Sequence, residues 1–177
     1  LTKSVASGVF WKLLERLLSQ GTSFVVSIVL ARILNPSDYG IISIVTVFTA
    51  IANVFVTSGF STSLIQKRDA DQIDFSSIFW CTIVVSCVIY FFLFLLAPYI
   101  SSFYGLCELT PIIRMYSIIL FIGAFNSIQS AYVSRHMQFR LFFVSTLLGT
   151  FGSGLIGIAM ALNGFGVWSL VAQSISN

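Results

Sequence analysis

Long apolar stretches, separated by short polar gaps, make up nearly all of this chain. A helix needs about 20 apolar residues to cross the hydrocarbon core of a bilayer, whereas a barrel strand needs about 10 in strict alternation. The apolar runs here are long and continuous, so they predict helices. We place five complete spans and the start of a sixth at residues 9–34, 41–65, 75–100, 112–134, 141–162 and 166–177.

Composition supports a membrane protein. Hydrophobic residues make up 57% of the chain and charged residues 8%, and the mean hydropathy is +0.98. A soluble domain carries about 25% charged residues, so this chain has too little polar surface for water. We therefore predict an all-α integral membrane bundle of about six transmembrane helices. The sequence opens on Leu1 and stops inside an apolar stretch at Asn177, which we interpret as a fragment of a longer protein.

Few residues support catalytic or metal chemistry. Cys81 and Cys87 lie within the third span and Cys107 lies in a loop, without any C-x-x-C spacing, and His136 is the single histidine. No phosphate-binding loop or nucleophile-elbow motif is present. We expect a protein that is not an enzyme, and that binds no metal, cofactor or nucleic acid.

The lysines and arginines predict an orientation. With a cytoplasmic N-terminus, seven of the nine fall on the inner side: Lys3, Lys12, Arg16, Lys67, Arg68, Arg135 and Arg140. Arg32 and Arg114 would lie outside, where we interpret them as interfacial anchors. This bias follows the positive-inside rule and favours a cytoplasmic N-terminus.

Polar residues recur within three of the spans. In the first span they follow steps of three and four, which places them on one helical face: Lys12, Arg16, Ser19, Gln20, Ser23 and Ser27. The second span carries an uncharged series that includes Asn53, and the fourth carries Asn126 and Gln129. Such faces are typical of a hydrophilic pathway or central cavity. We predict substrate-binding roles for Lys12, Arg16, Gln20, Ser23 and Asn53.

A structural interpretation competes with the cavity. Serine and threonine in membrane helices commonly bond to their own backbone four residues earlier. Lys12 and Arg16 could also extend to the cytoplasmic interface, since residues 17–34 alone nearly span the bilayer. Both interpretations of these two cations remain open on the sequence.

Small residues recur at every fourth position of the fifth span: Ser145, Gly149, Ser153, Gly157 and Ala161. Such a stripe lets another helix backbone approach closely. We interpret it as a packing face.

Four stretches carry a resemblance to a known family: LARILNPSDYG at 30–40, SGFSTSLIQKRD at 58–69, FYGLCELTPIIR at 103–114 and GFGVWSLVAQ at 164–173. In this order and spacing they resemble the N-terminal part of Wzx-type polysaccharide flippases, in the multidrug/oligosaccharidyl-lipid/polysaccharide exporter superfamily. The resemblance covers essentially the whole chain. It implies two lobes of six helices meeting in a V, with residues 1–177 forming most of the first lobe.

The resemblance also implies a function. It predicts transfer of an undecaprenyl-diphosphate-linked oligosaccharide across the bacterial inner membrane, with Lys12 and Arg16 as first-helix cations for the diphosphate. The implied partners are this lipid-linked oligosaccharide, membrane lipid, and a polysaccharide polymerase and chain-length regulator.

Two other functions were weighed against the flippase. A multidrug antiporter of the same superfamily exports cations and needs an anionic cavity, to which only Glu15 would contribute within these spans. A membrane enzyme of polysaccharide assembly needs catalytic carboxylates, and Asp69, Asp71 and Asp74 are better interpreted as a solvated turn.

The predicted orientation is testable by cysteine labelling. In a version without Cys81, Cys87 and Cys107, a cysteine at Ser37 or Ser102 should react with a membrane-impermeant maleimide in intact cells. A cysteine at Asp71 should stay unlabelled until the membrane is opened. Labelling of the cysteine at Asp71, and not of those at Ser37 and Ser102, in intact cells would show that the orientation is the opposite of the predicted one.

Overall fold

The computed structural model describes the backbone of residues 2–57, 72–136 and 139–177. All regular structure in these ranges is helical. The seven helices are α1 (Thr2–Ile33), α2 (Pro36–Thr57), α3 (Gln72–Tyr104), α4 (Leu109–Tyr116), α5 (Ile119–His136), α6 (Phe139–Leu162) and α7 (Val167–Ser176).

Five segments of the described chain are long and apolar enough to cross a membrane: Lys12–Ile33, Pro36–Val56, Ser77–Tyr104, Leu109–Ser127 and Phe143–Leu162. Each coincides with one of the five predicted spans, which confirms a multi-pass helical membrane protein. Residues 58–65 of the predicted second span, and the loop that follows to residue 71, lie outside the described residues. The predicted sixth span corresponds to α7.

The second span begins five residues earlier than the sequence predicted, at Pro36 rather than Ile41. Proline suits the first position of a helix, where its missing N–H has no partner to lose. The Asp38 carboxylate accepts a hydrogen bond from the Asn35 backbone N–H at 3.2 Å, which is one half of a capping box. The gap predicted between the first two spans is therefore mostly helix.

The fourth span is two helices rather than one. Between α4 and α5, the Ile118 N–H bonds to the Met115 carbonyl and the Leu120 N–H to the Ser117 carbonyl, each three residues back. The Ser117 hydroxyl donates to the Ile113 carbonyl at 2.7 Å. A hydroxyl bonded in this way often bends a helix, which accounts for the break.

Glycine ends two of the long helices. Gly105 and Gly164 have φ angles of 67° and 81°, a region that glycine enters without steric cost. After α6, the Phe165 N–H bonds to the Met160 carbonyl and the Gly164 N–H to the Ala161 carbonyl. After α3, Leu106 and Gly105 bond to Ser101 and Ser102 in the same way. Both ends are Schellman motifs, which satisfy the last carbonyls of each helix.

The chain divides into two compact units, residues 1–40 with 136–177, and residues 41–135. The first unit contains α1, the start of α2, α6 and α7. In it, α6 packs against both α1 and α7. These helices carry the following buried apolar side chains: Val26, Leu30, Ala161, Val167, Leu170 and Val171.

Two glycines of α6 allow its neighbours to come close. A Cβ atom added to Gly154 would lie 2.6 Å from Cγ2 of Val26 on α1. One added to Gly157 would lie 3.0 Å from Cβ of Gln173 on α7. The packing role predicted for the small-residue stripe is confirmed at Gly157. Gly149 makes only an ordinary contact, 3.8 Å from the Asn177 carbonyl oxygen to an added Cβ.

The second unit is built from most of α2 with α3, α4 and α5. Its core joins three of these helices through Ala52, Val56, Leu93, Leu120 and Ala124, with Phe48 and Ile89 packed beside them. The Arg114 guanidinium lies over the Phe94 ring, with its carbon 4.0 Å from the ring centroid. This cation–π contact gives Arg114 a partner within the unit, while its predicted role as an interfacial anchor stays a prediction.

The packing of Gly154 is testable. Gly154→Ala should destabilise the protein by about 1–3 kcal/mol, because the added methyl overlaps Val26 in a well-packed contact. Valine in a helix has one strongly preferred rotamer, so Val26 has little freedom to move away. The measurement is thermal unfolding of the purified protein in detergent.

Gly152 of the same helix provides the matched control. A Cβ there would have nothing within 4 Å, so Gly152→Ala should be neutral or slightly stabilising. The Val26→Ala/Gly154→Ala double variant should lose less stability than the two single variants lose when their effects are added. The reason is that Val26→Ala removes the Cγ atoms that the methyl group added by Gly154→Ala would overlap. Equal melting temperatures for Gly152→Ala and Gly154→Ala would contradict the close contact.

Candidate substrate-binding site

The first helix has two faces of opposite chemistry. Its apolar face combines with α6 to line a groove of about 510 Å³, with residues Leu17, Leu18, Gly21, Val25, Phe151, Leu155 and Ile158 along its walls. At 100° per residue, Lys12, Arg16, Gln20 and Ser23 fall together on the opposite face. The predicted stripe of the first span is therefore a distinct face of α1.

The four predicted residues on α1 are all exposed in the described chain: Lys12, Arg16, Gln20 and Ser23. An amide or cation turned toward hydrocarbon is expensive, so such side chains in membrane helices face a polar space or the interface. Gln20 and Ser23 lie deep within the Lys12–Ile33 span. For these two residues, the geometry favours a polar space.

A polar recess of about 130 Å³ lies beside Ser23, between α1, α6 and α7. Thr150 and Ser153 contribute from α6, Gln173 and Ser174 from α7, and Asn177 follows directly after α7. Val26 lines both this recess and the apolar groove. All of these residues belong to the first unit.

The hydroxyls of α6 have donated their hydrogens within the helix. Thr150 Oγ1 donates to the Thr146 carbonyl at 2.8 Å, and Ser153 Oγ donates to the Thr150 carbonyl at 3.0 Å. Both side chains are buried, with 6% and 3% of their surface exposed. A hydroxyl has one hydrogen and two lone pairs. These two hydroxyls therefore offer acceptors to whatever occupies the recess.

Gln173 supplies both a donor and an acceptor. Its half-buried side chain makes no hydrogen bond with any part of the chain that the structure describes. Gly157 gives it room, because Cβ and Cγ of Gln173 lie 3.0 and 3.3 Å from an added Cβ. A half-buried amide without a partner is costly in an apolar bundle, so its polar atoms are available to a ligand.

The recess lies at mid-depth of the spans that form it. Ser23 is near the centre of Lys12–Ile33, and Thr150 and Ser153 are near the centre of Phe143–Leu162. This is the depth at which a polar molecule crossing the bilayer meets the highest barrier.

Asn53 belongs to the second unit, whereas the four α1 residues belong to the first. It is exposed on α2, and its Oδ1 lies 3.0 Å from a Cβ added to Gly123 of α5. The other polar residues of that span are satisfied locally. Thr46 and Thr49 donate to the Ile42 and Val45 carbonyls at 2.7 and 2.8 Å. Thr46 and Thr49 also line neither the groove nor the recess, so the structural interpretation holds for these two hydroxyls.

Of the recess residues, Ser23 alone was predicted from the sequence to bind substrate. Ser153 was predicted only as a packing residue, and Thr150, Gln173 and Ser174 were given no role. Thr150 and Ser174 look like ordinary hydroxyls of apolar helices, and Gln173 was noted only within a family motif. An amide in an apolar stretch is the signal that was available. Among the described residues, no three His, Cys, Asp or Glu side chains lie together as a metal site would require.

The family model described as polysaccharide biosynthesis protein matches residues 29–177. The chain belongs to this family. The resemblance found in the sequence is therefore confirmed. The match includes α6 and α7, which form most of the recess, and Asn53, whereas Lys12 to Ser23 precede it.

Three curated relatives are similar to this chain. The succinoglycan biosynthesis transport protein ExoT of Rhizobium meliloti is 25% identical over 171 residues, covering 97% of this chain and 35% of the relative. The lipopolysaccharide biosynthesis protein WzxC of Escherichia coli is 22% identical, and the match covers 79% of this chain and 28% of the relative. The teichuronic acid biosynthesis protein TuaB of Bacillus subtilis is 22% identical, and the match covers 79% of this chain and 29% of the relative.

The chain spans about a third of the length of these curated relatives. No solved structure matches it.

Proposed function

We propose that this chain is part of a flippase for surface polysaccharide biosynthesis. Its cargo would be an undecaprenyl-diphosphate-linked oligosaccharide, moved from the cytoplasmic to the outer leaflet of a bacterial inner membrane. The observation that carries the proposal is the polar face of α1, which runs from two cations to a polar recess at mid-span in a member of the polysaccharide biosynthesis family. The names of the relatives, which include a succinoglycan transport protein, support the same direction.

The physical case rests on the cost of moving charge through lipid. A charged side chain at the bilayer centre costs at least about 2.5–3.5 kcal/mol, and a diphosphate with several sugars is more polar still. A helix face of hydroxyls and amides lowers that barrier. Lys12 and Arg16 at the start of the span would attract the diphosphate, and guanidinium offers the two-pronged geometry that phosphate favours.

The alternatives draw less support from this chain. A cation antiporter would need carboxylates on the polar face. On α1, the described residues of the span supply Glu15 alone. An enzyme of polysaccharide assembly would need catalytic carboxylates, and we interpret the sequence cluster of Asp69, Asp71 and Asp74 as a solvated turn. The transport name of one relative supports transport over catalysis.

The wider arrangement is part of the proposal. Residues 1–177 would form most of the N-terminal lobe of a two-lobed, V-shaped transporter, with a cytoplasmic N-terminus. A polysaccharide polymerase and a chain-length regulator would act on the flipped cargo. The short share of each relative that the chain covers is consistent with one lobe of a larger protein.

The role of Arg16 is testable by complementation. In the full-length protein, Arg16→Ala should lower surface polymer about tenfold or more, because hydrogen bonds to charged groups contribute about 1.5–3 kcal/mol. Arg16→Lys should retain part of the activity, since lysine keeps the positive charge but lacks the bidentate hydrogen-bonding geometry of guanidinium. The measurement is polymer at the surface of a flippase-deficient strain, relative to protein in the membrane.

Arg32 provides a matched control on the same helix. It is also an exposed arginine, but it lies at the opposite end of the span, so Arg32→Ala should keep wild-type polymer levels. Wild-type polymer from both Arg16→Ala and the Lys12→Ala/Arg16→Ala double variant would leave these cations as interfacial anchors and remove the proposed diphosphate site.

A further inference from the structure

We propose that the recess between α1, α6 and α7 binds the hydroxyl groups of one sugar of the cargo as it passes mid-membrane. The proposal rests on the proposed flippase function and names a second contact within the same face of α1. It assigns a binding role to Thr150, Ser153 and Gln173, which join Ser23 around the recess.

The size of the recess suits part of a sugar ring. Its volume is about 130 Å³, room for several water-sized groups. It is too small for a diphosphate with several sugars. One edge of a ring, with its hydroxyl groups, would fit beside Ser23.

The chemistry of the lining also suits a sugar. Thr150 and Ser153 have donated their hydrogens to carbonyls of α6, so they present lone pairs. Sugar hydroxyls can donate to these oxygens and accept from the Gln173 amide, which has no hydrogen bond to any described residue. The lining carries no charged side chain. A neutral, hydroxyl-rich ligand therefore matches it better than an anion.

The recess also lies within reach of the proposed diphosphate site. Ser23 follows Arg16 by seven residues on the same face of α1, a rise of about 10 Å along the helix. A molecule that carries sugars directly on its diphosphate can place the phosphates near Arg16 and a sugar in the recess.

The test compares lipids with and without a sugar. The purified full-length protein is titrated in nanodiscs with undecaprenyl diphosphate, and with the same lipid carrying one glucose, galactose or N-acetylglucosamine. The wild-type protein should bind at least one sugar-bearing lipid about threefold to tenfold more tightly than the bare lipid, as expected for one or two net hydrogen bonds. The readout is the ratio of the two Kd values.

Two variants remove the polar groups with little change in shape. Thr150→Val replaces the hydroxyl with a methyl, and Gln173→Met keeps the stem that contacts Gly157 and loses the amide. Both should bring the Kd ratio toward one while leaving the affinity for the bare lipid unchanged. Because the ratio compares two ligands on one preparation, a partial loss of folded protein does not alter it.

Thr22→Val is the matched control. Thr22 also donates to the carbonyl four residues back, Leu18, at 2.9 Å, but it lines the apolar groove rather than the recess. This variant should keep the wild-type ratio.

The outcomes separate the two proposals. No preference for any of the three sugars, or a preference that survives in both recess variants, would overturn the sugar site and leave the flippase proposal standing. Failure of the wild-type protein to bind either class of lipid would overturn both. A preference lost equally in Thr22→Val and Thr150→Val would also overturn the sugar site, because the effect would not depend on the recess.

Discussion

The close approach of α6 to its two neighbours is the contact on which the candidate site depends. Gly154 admits Val26 of α1, and Gly157 admits the stem of Gln173 from α7. Without a hydrophobic driving force between helices in lipid, such backbone proximity supplies much of the packing energy. The same two glycines bring three helices together around the recess. Packing and candidate binding surface are therefore consequences of one arrangement.

A local hydrogen bond uses the single hydrogen of a hydroxyl but leaves its lone pairs, whereas an amide has donors and an acceptor to satisfy. Thr46 and Thr49 lie on a span that looked polar in sequence, yet their hydroxyls donate to carbonyls of their own helix. Gln173 lines the recess and makes no such bond to any described residue. A hydroxyl can be satisfied locally in an apolar helix, whereas an amide with two donors and an oxygen demands more. Amides within spans are the better markers of a polar pathway.

The sequence predicted the features that depend on nearby residues. Continuous apolar runs define spans because the bilayer sets their length, and the stripe containing Gly157 indicated a packing face because its spacing is helical. The early start at Pro36 was missed because asparagine, proline and aspartate are common both in turns and at the first positions of helices. The break at Ser117 depends on a single hydroxyl bond. The recess was beyond prediction, since it needs α6 and α7 to meet α1, which lies more than a hundred residues away.

The distribution of charge along α1 has a consequence for the proposed cargo. Cations stand at the start of the Lys12–Ile33 span, and the recess at its middle is neutral. A conducting or carrying site must bind well enough to admit its cargo and weakly enough to release it. A cation at mid-span would hold a diphosphate strongly where water is scarce and the dielectric constant is low. Neutral hydroxyls and an amide offer hydrogen bonds worth only about 0.5–1.5 kcal/mol net each. Cations at the start of the span would attract the cargo, and weak contacts at mid-span would let it move on rather than stay bound.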